Sequence, residues 1–178
     1  IGTIFAFSIS FNSMRKSPYI LLFLIPILVA FIEADIIIDE QEAKKAFEQL
    51  NIARSDPKAY GKQIKINLDR VVKRDALIWN DTLAKVAQQK ALDMAKRKYF
   101  GHVTPEGKGI NIMIDAAGYK LPKEWLKSKK ENYFESIVAG VANGEDAIKT
   151  LIIDSFDPSL GHRKHLLGMD DWNASLKD

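Results

Sequence analysis

Apolar residues recur at helical spacing through most of the chain. In "DEQEAKKAFEQLNIAR", Ala43, Ala46, Phe47, Leu50 and Ala53 fall near one face, which predicts an amphipathic helix. Asp39 can cap it, and Glu42 three residues on can complete a capping box. "SDPKAYGKQI" restarts a short helix with Pro57 in its first turn. The clearest helix is "NDTLAKVAQQKALDMAKRKYF". Leu83, Val86, Ala87, Ala91, Met94 and Ala95 keep helical spacing with lysines opposite, and Asn80 or Asp81 serves as cap.

The pattern then changes. "GHVTPEGKG" is turn chemistry, and "INIMIDAAGY" is a short helix ending at Gly118. "KLPKEWLKSKK" reads as a polar loop, and "ENYFESIVAG" as a strand. "NGEDAIKTLIIDSF" is a helix with Glu145 and Asp146 in its first turn, and "DPSLGHRKHLLG" is a loop running into one more short helix. Helices outnumber strands, so the expected class is α+β with a small sheet covered by helices.

Upstream, "MRKSPYILLFLIPILVAFIEAD" places Arg15 and Lys16 before an apolar run, with Ala34 as a small residue after it. That order marks residues 14–34 as a signal peptide or an uncleaved N-terminal anchor. Residues 1–13 precede Met14 and read as an upstream extension, leaving 35–178 as the domain. The expected location is therefore secreted, periplasmic or cell-envelope. The 178 residues suffice for one domain. With no cysteine, disulfides, thiol nucleophiles and thiolate zinc sites are excluded. The net charge of +3 is spread among interspersed acids and bases, which points to no nucleic-acid partner.

Histidine carries the candidate chemistry. There are three: His102 in "YFGHVTPEG", and His162 and His165 in "LGHRKHLLG". Residues three apart on a helix share roughly one face, so "HRKH" is either a metal pair or a solvated helix face, and the second reading weighs more. Ser155 and Ser159 lie near His162, but no Gly-x-Ser-x-Gly elbow supports a serine nucleophile. Trp79, Trp125 and Trp172 read as core or rim packing. Glu135 alternates with Tyr133 along the strand and reads as solvent-facing.

The order of "LNIARSDPKAY", "LIWNDTLAKVAQQKALDMA", "FGHVTPEGKGINIMIDAAGY", "ENYFESIVAG" and "LIIDSFDPSLGHRKHLLG" resembles the CAP superfamily, named for cysteine-rich secretory proteins, antigen 5 and pathogenesis-related proteins. The chain is most similar in style to the bacterial, cysteine-free, secreted members. The resemblance spans about Ala43 to Gly168 and implies a three-layer α-β-α sandwich around a shallow cleft. It also implies a cluster of two histidines and two acids, matched here by His102, Glu131, Asp154 and His162. His102 and His162 would be ligands for zinc, with Glu131 and Asp154 orienting them, and His165 would lie outside the site. Lys130 stands where the family often has glycine. The family continues past the Gly-His-Arg segment into further strands, so the domain is expected to be C-terminally incomplete. The implied function is extracytoplasmic binding of a lipid or other apolar small molecule. The alternatives are a metal-dependent hydrolase with Glu131 as base in the same cleft, and a structural or adhesion module.

Overall fold

The computed structural model describes residues 4–6 and 36–175. In order, these form β1 (Ile4–Ala6), α1 (Glu40–Ser55), α2 (Pro57–Ile64), α3 (Asp81–Arg97), α4 (Ile110–Ala116), a 3-10 turn (Lys123–Leu126), β2 (Glu135–Ile137), α5 (Gly144–Ile153), α6 (Gly161–Leu167) and α7 (Asp171–Ser175). The segment from Met14 to Ala34 lies outside the described residues. No described helix is long and apolar enough to cross a membrane.

The caps set the helix boundaries. Asp39 accepts from the N–H groups of Gln41 and Glu42 at 3.0 Å each and opens α1. Glu42 does not close a capping box with Asp39. Its carboxylate instead accepts from Gly144 N–H at 2.8 Å, so it caps α5 across the helix interface. That N–H, with Lys45 adding to it, holds the Glu42 carboxyl below its usual range. Asn80 caps α3 through Leu83 N–H, and Asn143 caps α5 through Asp146 N–H.

Two large apolar clusters, and a small third of Met94 and Ile137, form the core of the described residues. One packs α1, α2, α5 and α6 through Leu50, Tyr60, Ile148, Ile152, Leu166 and Leu167. The other packs α3 and α4 against the following loop through Val86, Ile110, Ile114 and Phe134. α1 and α5 approach closely because position 144 is glycine. A Cβ there would sit 2.2 Å from the backbone oxygen of Glu42.

The described residues are mostly helical, with only two short strands. β1 pairs in parallel with β2, Phe5 opposite Ser136. β2 covers only three of the ten residues expected to be extended in "ENYFESIVAG". The reason is local. Asn132 folds the chain into a turn, its Oδ1 accepting from Phe134 and Glu135 N–H, and Gly140 turns it again at φ +74°. Helix α3 also departs from expectation, since Lys90 lies on its buried face, 0% exposed.

Candidate functional site

All three histidines line one open cavity of about 310 Å³ between β2 and the 157–173 segment. Three separate local structures bring them there.

His162 sits at the start of α6, set up by the end of α5. Asp154 terminates α5 in the left-handed region at φ +51°, a conformation that aspartate tolerates better than most side chains. Its Oδ2 then accepts from His162 and Arg163 N–H at 3.0 and 3.3 Å. Oδ1 lies 2.8 Å from His162 Nδ1. Arg163 donates to the carbonyls of Ile152 and Ile153, which fixes the α5–α6 corner. Asp157 joins this corner by accepting from Gly161 N–H at 2.9 Å and from Ser159. Ser159 is thereby a turn partner of Asp157.

His102 is held by the loop before β2. Its Nδ1 lies 2.8 Å from Glu135 Oε2 and 2.9 Å from Asn132 Nδ2. The amide orientation of Asn132 is fixed, since Oδ1 takes two backbone N–H groups and Nδ2 also donates to the Glu135 carbonyl. One ring nitrogen offers either a proton or a lone pair. The carboxylate, the stronger partner, favours Nδ1–H donating to Glu135 with the lone pair on Nε2, whereas the Asn132 amide hydrogen favours the opposite tautomer.

Glu135 is therefore not solvent-facing. It is 4% exposed, and its second oxygen, Oε1, is buried without a partner. Glu131, the glutamate matched by the Glu-Asn motif, is placed elsewhere. Its backbone carbonyl packs over Gly109, where a Cβ would come within 2.4 Å. Its carboxylate faces Tyr133, whose hydroxyl pKa is raised by burial first and by the Glu131 charge second. The carboxylate beside His102 thus lies four residues later in "ENYFES" than the motif placed it.

His165 also departs from expectation. It does not lie on a solvated face; its Nδ1 pairs with Ser136 Oγ at 2.8 Å, and the ring lines the cavity. Its pKa is pushed down to about 4, by burial first and then by the charges of His162, Arg54 and His102. Tyr133 and Trp172 add an aromatic wall, with ring centroids 5.3 Å apart, backed by Trp125.

The cavity thus gathers His102 and His162, with Asp154 behind His162 rather than lining it, and leaves Glu131 out. It adds Glu135, Ser136, Asp157 and His165, which sequence reasoning missed or set aside. One signal was available for Glu135: a glutamate inside the apolar run "YFESIV" must be buried with a partner. Among the described residues, one set of three metal-capable groups converges within 4.8 Å: Asp154, Asp157 and His162. Asp154 in that set already holds the Nδ1 side of His162.

Residues 47–169 match the family model described as the cysteine-rich secretory protein family, CAP. No curated protein matches the chain, and no solved structure does. The match covers more than half of the chain, its span includes all three histidines and both of their carboxylate partners, and the chain belongs to the CAP family.

Proposed function

We propose that this is an extracytoplasmic CAP-domain protein whose cleft binds a divalent metal ion, with His102 and His162 as ligands. The α-β-α layering of the family belongs to the same reading. One observation carries it: each imidazole in the cavity is anchored through Nδ1 to a protein group, by Glu135, Asp154 or Ser136. Among the described residues no hydrogen bond takes up Nε2 of any ring. A histidine with Nδ1–H held by a carboxylate is the usual arrangement around a ligated metal, because it fixes the tautomer and makes Nε2 more basic. Imidazole and carboxylate donors suit zinc, at bond lengths of about 2.0–2.2 Å. Asp157 shares the converging set of metal-capable groups with His162 and Asp154, and His102 is not part of that set.

Zinc titration by calorimetry tests the reading. Binding to the wild type that is lost in both His102→Ala and His162→Ala supports it. Binding that survives both substitutions removes it.

A second reading, capture of a small apolar ligand, is favoured by the aromatic wall of Tyr133 and Trp172. Trp172 is 45% exposed at the cavity edge. Quenching of its fluorescence by a fatty acid, lost in Trp172→Ala, supports this reading. A hydrolase with Glu131 as base is the less favoured reading, because Glu131 is not among the cavity-lining residues and its carboxylate is engaged with the Tyr133 side chain.

A further inference from the structure

His162 and His165 lie on α6, but His102 is carried by the irregular arc between α3 and α4, residues 98–109. Both sides of that arc are pinned to the last two turns of α3. On the near side, the Tyr99 hydroxyl donates to Asp93 at 2.6 Å and accepts from the Lys90 ammonium at 3.2 Å. On the far side, Arg97 engages both carboxylate oxygens of Glu106, Nη2 donating to Oε2 at 2.9 Å and Nη1 to Oε1. Nη2 also donates to Asp93 at 2.8 Å, and the guanidinium lies 5.4 Å from the Tyr99 ring centroid. One cation therefore joins the two pins.

The far pin grips a closed turn. Gly107 N–H donates to the Thr104 carbonyl at 2.8 Å, and Thr104 N–H donates to the Lys108 carbonyl at 2.8 Å. Gly107 stands at φ +79°, a conformation that suits glycine. Holding the Glu106 carboxylate thus holds the whole turn, four residues beyond His102. Glu135 and Asn132 hold one nitrogen of the His102 ring. The Arg97–Glu106 clasp holds the backbone from which that ring reaches them. An exposed ion pair adds little to global stability, so its effect is local. A two-bond fork fixes direction as well as distance.

We propose that Arg97 and Glu106 are positioning residues for the cleft: their clasp closes the arc onto α3 and pre-organises His102 opposite His162. Arg97 is the joint of the device, because without it Asp93 and Glu106 are two carboxylates drawn to one place with no cation between them. A ligand on a loose arc must be ordered when the ion binds, and that ordering weakens affinity. The use of the clasp for zinc rests on the reading above, but the order of the arc exists without metal and is measured without it.

The test is backbone 15N relaxation on the metal-free protein at neutral pH and low salt, followed by zinc calorimetry. In the wild type the amides of residues 100–106 should be as rigid as those of α3, with order parameters of about 0.85, falling toward about 0.6 in Arg97→Gln. Glu106→Gln should loosen the same residues, and the double variant should be no looser than either single one, because the two side chains act as a unit. Amides of α5 and α6 should not change. Zinc affinity should fall by about threefold to tenfold in each variant. An arc already loose in the wild type, an arc still rigid in both single variants, or loosening spread through α5 and α6 overturns the proposal. So does unchanged zinc affinity in a variant whose arc has loosened. A wild type that binds no zinc removes the metal reading, while the relaxation data still decide the clasp. Both side chains reach solvent, and should one single variant fail to fold, the other decides.

Discussion

His165 is neutral in the folded protein down to about pH 4, because burial and the charges of His162, Arg54 and His102 oppose its protonation. In the unfolded chain it takes up its proton near 6.5. Its folded pKa is depressed, so between those values the unfolded state binds more protons, and stability falls as pH drops from 6.5 toward 4. The loss approaches about 3 kcal/mol at the bottom of that window. Urea unfolding at pH 7 and pH 4.5 should show the fall in the wild type and a smaller one in His165→Asn. The two glutamates of "ENYFES" offer a second contrast. Glu135→Gln should weaken zinc binding by about 10–100-fold, the usual cost of losing a partner of a ligating histidine. Glu131→Gln should leave it unchanged, and calorimetry on the pair separates them.

Gly144 holds the α1–α5 crossing, since a Cβ would meet the Glu42 carbonyl oxygen at 2.2 Å. Gly144→Ala should therefore cost about 1–3 kcal/mol in chemical denaturation, and also displace the Glu42 cap. A loss below a few tenths means that the crossing relaxes freely. The helices themselves were legible in the sequence, because caps and 3.6-residue periodicity act locally: Asp39, Asn80 and Pro57 stand where their residue types predict. What was not legible depends on tertiary neighbours. Glu42 left its own capping box for another helix, and Lys90 turned inward to Tyr99. Glu135 reached His102 only because Asn132 folds the intervening backbone. His102, His162 and Asp154 were found by resemblance to the family motifs. Position in "HRKH" gave no sign that Ser136 would draw His165 into the same cavity.

At the scale of the whole molecule, one apolar cluster carries α5 and α6 and the other carries α3, α4 and Phe134. His162 and His165 come with the first and Glu135 with the segment that follows the second. A metal bridging His102 and His162 would therefore tie two packing units together. Zinc at about 100 times its Kd should stabilise the fold by about 2.7 kcal/mol, seen as a rise in Tm that His162→Ala lacks. The most direct measurement is anomalous X-ray scattering at the zinc edge from crystals of the zinc-soaked protein. The account predicts one peak in the cavity, within about 2.0–2.1 Å of a nitrogen of both His102 and His162. A peak held only by Asp154 and Asp157, or none in the cavity at full soaking, would contradict it.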